Sequence, residues 1–83
     1  KEVNPSLNIS IYPNPTQGLV HIVSHTEVAY TVCLYNTHGV LLATKNAIGK
    51  SGSINLESFA NGIYYIEVQD ADNNVMRKRI LKL

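Results

Sequence analysis

The sequence predicts an all-β domain, and three observations carry this prediction. Apolar residues recur at every second position along most of the 83-residue chain. No window of about a dozen residues has the i, i+3, i+4, i+7 spacing of an amphipathic helix. Clusters of glycine, asparagine, aspartate and proline interrupt the apolar runs at short intervals, as turns between short strands do. The chain is therefore expected to fold as one small antiparallel β-structure.

Seven short strands account for the alternating runs. They are expected at Asn8 to Tyr12, Leu19 to Val23, Ala29 to Tyr35, Val40 to Thr44, Ser53 to Leu56, Ile63 to Gln69 and Val75 to Leu81. The turns between them are expected in PNPTQG, at Asn36 to Gly39, Gly49 to Gly52, Asn61-Gly62 and Asp70 to Asn74, where glycine and asparagine tolerate positive φ. This order of elements predicts a seven-stranded antiparallel β-sandwich of the immunoglobulin-like type.

The same alternation predicts which residues face the core, because successive side chains of a strand point to opposite faces of the sheet. The expected core is Ile9, Ile11, Val20, Ile22, Val32, Leu34, Ile54, Leu56, Tyr64, Ile66 and Val68. Tyr64 has the character of a corner tyrosine, whose hydroxyl bonds to the backbone. Cys33 and Tyr65 lie on the opposite parity, which indicates that part of the outer face is covered as well.

The composition argues against several classes of function. A formal net charge of +1 lacks the basic excess that nucleic-acid binding needs, and no apolar run is long enough for membrane insertion. His21 and His25 lie about 13 Å apart along a strand, too far for one zinc ion. The acidic turn after Asp70 lacks the glycine and glutamate of a calcium loop. We therefore expect no catalytic residue, no metal and no cofactor.

The first residues differ in character from the rest of the chain. KEVNPS is polar and contains a proline, as interdomain linkers often do. Residues 1–7 are expected to be a linker left from an upstream cargo, and residues 8–83 the last domain of a longer protein. Further along, Pro13 and Pro15 lack backbone N–H groups, so PNP is expected to end the first strand and direct the chain towards the other sheet.

Four motifs in register resemble the C-terminal sorting domain of the type IX secretion system of Bacteroidetes. They are IYPNPTQG, LYNTHGVLL, LESFANGIYYIEV and VMRKRILKL, and the resemblance extends over residues 9–82. The signature positions carried over by motif are Tyr12, Pro13, Asn14, Pro15, Gly18, Gly39, Gly62 and Tyr64, followed by Lys78, Ile80 and Lys82 in the closing strand. His38 departs from the family pattern, in a turn that varies.

The resemblance implies a non-catalytic secretion signal with the same sandwich fold. Its implied partners are the outer-membrane translocon with its shuttle proteins, and a sortase-like cysteine protease that removes the domain. The implied route runs through the periplasm to the cell surface or the extracellular space. An immunoglobulin-like surface module that binds glycan or protein is the alternative.

The closing strand is the expected contact with the translocon. The residues expected to be recognised are Arg77, Lys78, Arg79, Ile80 and Lys82. Both faces of this strand carry cations, which is typical of an edge strand and not of a buried one. Such an edge either offers its backbone to an extended partner or uses its charges to prevent pairing. A strand-exchanged homodimer is a further possibility for a small sandwich.

Overall fold

The computed structural model describes residues 9–83, apart from the side chains of residues 26–28 and 47–50. Its strands are β1 (Ile9–Tyr12), β2 (Leu19–Tyr35), β3 (Leu41–Asn55), β4 (Gly62–Asp70) and β5 (Val75–Lys82). All pairings between them are antiparallel. The predicted all-β class is confirmed. The expected linker at residues 1–7 lies outside the described residues.

Two of these strands are long and each unites two of the predicted strands. At about 3.3 Å per residue, the 17 residues of β2 would extend roughly 56 Å, but the longest dimension of the domain is 35 Å. The strand must therefore bend, and its pairing with β3 changes register between Val23 and Val28. Before this point β2 pairs with β1, and after it with β4. The bent strands supply seven strand segments in two antiparallel sheets, as an immunoglobulin-like sandwich requires.

The predicted turn at Gly49 to Gly52 is wrong. Gly49 pairs with Val28 and Gly52 pairs with Ile22, so β3 continues through this run. Glycine has no side chain to crowd a bend, and it is often found where a strand turns a corner. The small residues therefore let the strand pass from one sheet to the other without ending.

The two sheets enclose one core, and every residue predicted to lie in it is buried. Two members were missed. Tyr30 is 4% exposed, and Ile80, in the middle of the cationic strand, is 0% exposed. Phe59 and Met76 are half-buried and pack against the same cluster. The core thus reaches into β5, which the charge pattern had marked as exposed on both faces.

The corner tyrosine is also confirmed. The hydroxyl of Tyr64 donates a hydrogen bond to the backbone carbonyl of Ala60, four residues upstream. The Phe59 ring lies 6.1 Å from the Tyr64 ring, centroid to centroid. Gly62, between them in sequence, has φ of +147°, a conformation that favours glycine. These contacts fix the turn that leads into β4.

Candidate functional site

β5 is an edge strand that carries most of the residues singled out for recognition. It pairs with β4 along its length, from Val75 opposite Gln69 to Lys82 opposite Gly62. No other named strand among the described residues pairs with it. Its second edge is thus the place where another segment can add.

Part of that second edge is occupied by the PNP motif. The side-chain amide of Asn14 accepts a hydrogen bond from the N–H of Leu81 (3.0 Å) and donates one to the carbonyl of Arg79 (2.9 Å). The backbone N–H of Thr16 donates to the carbonyl of Leu81, and the carbonyl of Thr16 accepts from the N–H of Leu83, both at 2.9 Å. We call Asn14 and Thr16 the edge clamp. The first signature motif and the last strand therefore form one structure, although Asn14 and Arg79 are 65 positions apart.

The edge clamp is held by the turn that follows it. The buried hydroxyl of Thr16 donates to the carbonyl of Leu19 and accepts from the N–H of Gly18. A Cβ atom at Gly18 would lie 2.4 Å from Cγ of Glu57, and φ there is +156°. The motif glycine is therefore a structural requirement of this turn. The expected redirection of the chain by PNP is also seen, since the segment leaves β1 and crosses to the edge of β5.

Asn14→Ala is expected to lower the free energy of unfolding by roughly 1–2 kcal/mol, because it removes both hydrogen bonds to β5. Asn14→Asp keeps an acceptor for Leu81 but loses the donor to Arg79, and should lie between Asn14→Ala and the parent. Urea unfolding measures the difference, with the exposed neighbour Gln17→Ala as the control that should match the parent. An Asn14→Ala domain as stable as the parent would contradict the clamp.

The lysines of β5 point towards the interior of the domain and not towards solvent. The Lys78 ammonium donates to the carbonyl of Ile11, 3.1 Å away in the opposite sheet. The Lys82 ammonium donates to Oδ1 of Asn61 at 2.9 Å, and the residue is only 8% exposed. Ile80 lies between them in the core. β5 is thus an edge strand, as its cations indicated, but its even-numbered residues point inward and the lysine stems extend over the core.

The arginines occupy the opposite, outer face of β5. Nη2 of Arg77 lies 2.8 Å from Oε1 of Glu67 on β4, and its guanidinium lies 5.9 Å from the Tyr35 ring centroid. The hydrogen bond to Glu67, together with its negative charge, raises the pKa of Arg77. Among the described residues, no side chain forms a hydrogen bond or ion pair with the guanidinium of Arg79. Arg79 is therefore available to an anionic partner.

Arg79 also borders a small groove of about 190 Å³ beside the edge clamp. The groove is also lined by Asn14, Pro15, Ile63 and Leu81. Ile63 and Leu81 are 37% and 38% exposed, which leaves apolar surface next to the unpaired cation. The arrangement suits a partner that combines a carboxylate with apolar groups.

The acidic turn between β4 and β5 is satisfied within itself. The Asp70 carboxylate accepts hydrogen bonds from the N–H groups of Asp72 and Asn74 and from the Asn74 side chain. The bonds from Asn74 hold the pKa of Asp70 below its usual value. The predicted hairpin turn is thus what this segment forms.

The described residues offer neither a metal-binding cluster nor a membrane-spanning helix. These residues contain no group of three or more histidine, cysteine, aspartate or glutamate side chains that could hold a metal ion. They also contain no helix long and apolar enough to cross a membrane.

Comparison with known proteins identifies the family of the chain. The secretion system C-terminal sorting domain family matches residues 10–82, which include the PNP motif and the whole of β5. The chain is also 29% identical over 59 residues to beta-agarase A of Zobellia galactanivorans. That alignment covers 70% of this chain and 11% of the agarase. The family match spans nearly the whole chain, and the chain therefore belongs to the secretion system C-terminal sorting domain family, the sorting signals of type IX secretion.

Proposed function

We propose that the translocon recognises this domain through the outer face of β5 and through the edge of β5 that does not pair with β4. The family to which the chain belongs is non-catalytic and interacts with the secretion machinery, and its members direct export to the cell surface or extracellular space. The observation that carries the proposal is the placement of Arg77 and Arg79. They are the exposed cations of an edge strand whose other cations, Lys78 and Lys82, are engaged in internal hydrogen bonds.

The remaining steps follow from the family. Shuttle proteins and the outer-membrane translocon receive the domain, and a sortase-like cysteine protease removes it at the surface. Residues 1–7 then form the linker to the cargo, and residues 8–83 form the sorting domain. Similarity to beta-agarase A supports an enzyme as the kind of cargo.

A surface binding module is the second candidate, and one observation favours it. A groove of about 330 Å³ is lined by Tyr35, Tyr65, Glu67 and Arg77 and by residues of the Asn36 turn. Aromatic and hydrogen-bonding side chains of this kind suit a glycan. In this alternative the domain stays attached to its protein and holds a ligand there.

An export assay with the arginines neutralised tests the proposed function. The 83-residue chain is fused behind an inert periplasmic reporter in a type IX-competent bacterium, and the Arg77→Gln/Arg79→Gln variant is compared with the parent. We expect at least about tenfold less reporter at the surface, as when contacts worth about 1.4 kcal/mol are lost. The melting temperature should change little, because the Arg77 side chain is 61% exposed and an ion pair of such a side chain contributes little to stability.

The matched control changes the net charge equally at a distance from β5. Ser51→Glu/Ser58→Glu also lowers the net charge by two units, and both exposed positions lie outside β5 and the turn that leads into it. This control should be exported like the parent. Normal export of the arginine variant would show that recognition does not depend on the arginines. Retention of the parent itself in the periplasm would favour the binding module.

A further inference from the structure

We infer that the first half of the outer edge of β5 is a docking site for an acidic β-strand of a partner protein. The inference rests on the proposed function, since it names the kind of partner that this strand receives. It depends on three properties of the strand, namely the direction of its backbone groups, the extent of the edge clamp, and the charges beside the edge.

The backbone of β5 shows which groups point outward. The clamp bonds to the carbonyl of Arg79, to both groups of Leu81 and to the N–H of Leu83, so odd-numbered residues face the outer edge. By the alternation of a strand, the N–H and C=O of Val75 and Arg77 and the N–H of Arg79 face the same way. No backbone group of the described residues pairs with them. We call Val75 to Arg79 the open edge.

The edge clamp sets the length of what can be added. Asn14 and Thr16 already occupy the edge beyond Arg79, so an incoming strand must end there. The open edge offers about five residues, or roughly 17 Å, of unpaired backbone. Extended peptides commonly bind by adding to an exposed edge of this kind, with the backbone supplying affinity and side chains supplying specificity.

The charges beside the open edge select an acidic partner over a second copy of this chain. The side chains of Arg77 and Arg79 lie on the outer face, next to the position an added strand would take. Pairing with β5 of a second copy would place arginines close to arginines, and like charges across strands destabilise a sheet. A carboxylate on the added strand would instead meet Arg79, whose guanidinium has no partner among the described side chains.

The apolar surface on the same side completes the description of the partner. Val75 is 53% exposed at the start of the open edge, and Leu81 is 38% exposed just beyond its end. Cross-strand contacts favour β-branched residues at such positions. The partner is therefore expected to be an extended segment that presents carboxylates beside Arg77 and Arg79 and a β-branched residue beside Val75, all on one face and thus two positions apart.

Amide exchange tests this inference in solution, without export. The ¹⁵N-labelled 83-residue chain is titrated with an acetylated five-residue peptide that has one valine and two glutamates at its first, third and fifth positions and threonine between them, and with the same peptide carrying lysine for glutamate. In the free chain the amides of Arg77 and Arg79 should exchange quickly, and those of Lys78 and Ile80 slowly, because the latter pair with β4. The acidic peptide should slow exchange at Arg77 at least about tenfold, and the lysine peptide should leave it unchanged.

Two variants separate the backbone from the side chain. Arg77→Pro removes the outward N–H together with the guanidinium and keeps the pairing with β4, and proline is tolerated where the N–H of an edge strand faces solvent. Arg77→Gln keeps the N–H and removes the charge. Peptide binding should be lost in the proline variant and weakened in the glutamine variant. If the proline variant fails to fold, a synthetic chain with N-methyl-Arg77 makes the same test.

Three outcomes would overturn the inference. They are slow exchange of the Arg77 amide in the free chain, equal protection by the lysine peptide, and no protection by the acidic peptide at millimolar concentration. If the peptide binds but the parent fusion is not exported, the proposed function fails alone. If export requires the arginines but the peptide gives no protection, only the docking inference fails.

Discussion

Ile80→Ala is expected to destabilise the domain by about 2–5 kcal/mol, which is the usual cost of truncating a fully buried isoleucine. The side chain is 0% exposed and belongs to the single core that both sheets share. Domains of this size have free energies of unfolding near the low end of about 5–15 kcal/mol. The variant should therefore be largely unfolded at modest urea concentrations, which denaturant titration followed by circular dichroism will measure.

Leu81→Ala is the matched control for this prediction. Leu81 is the next residue of the same strand, but it lies on the outer face and is 38% exposed. Its truncation should lower the free energy of unfolding by less than about 1 kcal/mol, because a partly exposed side chain on the outer face loses few packing contacts. Equal destabilisation by the two substitutions would show that β5 is not oriented with its even-numbered residues inward.

Lys82→Ala is expected to cost roughly 1.5–3 kcal/mol, a large effect for a lysine. The substitution removes a charged hydrogen bond to Asn61 and the packing of a long aliphatic stem at a residue that is 8% exposed. Lys82→Met keeps the stem and removes the ammonium, so it should recover at least half of the loss. Thermal unfolding of both variants measures the two contributions.

Arg79→Ala serves as the control for Lys82. The substitution removes a long cationic side chain from the outer face of the same strand. The melting temperature of this variant should stay close to that of the parent, as for most exposed substitutions. A Lys82→Ala variant as stable as Arg79→Ala would contradict the inward placement of Lys82.

These expectations change how export experiments on β5 are interpreted. Three residues of β5 face inward, namely Lys78, Ile80 and Lys82. Their substitution therefore alters folding and recognition together. Deletion of the chain from Val75 onward has the same problem, since it removes Ile80 from the core and leaves β4 unpaired on one side. Substitutions of Arg77 and Arg79 are informative about recognition, because they leave the inner face of the strand intact.

The sequence was most informative where local pattern and tertiary environment coincide. Ile66 and Val68, for example, alternate with polar residues, and a pleated strand converts that alternation directly into one buried and one outer face. The corner tyrosine was predictable for a related reason, since Tyr64 bonds to a carbonyl only four residues away. The signature glycines Gly39 and Gly62 have positive φ, as their place in turns predicted.

The prediction of β5 was only partly right, for a physical reason. Cations occupy both parities of RKRILK, so the alternation that separates core from surface elsewhere is missing there. A lysine has enough aliphatic length to cross a buried region and still place its ammonium on a carbonyl, as Lys78 does with Ile11. Charge alone therefore could not distinguish a solvent-facing residue from a buried one.

The sequence by itself determined the all-β class, the core-facing residues and most of the turns, because these depend on residues close together in the chain. The tertiary structure alone decided that β2 and β3 bend from one sheet into the other, that Asn14 and Thr16 clamp the last strand, and that its lysines face inward. Each of these depends on contacts between distant segments, such as the pairing of Asn14 with Arg79 across 65 positions. Local periodicity carries no information about such contacts, because it describes which face a side chain takes and not which strand lies opposite it.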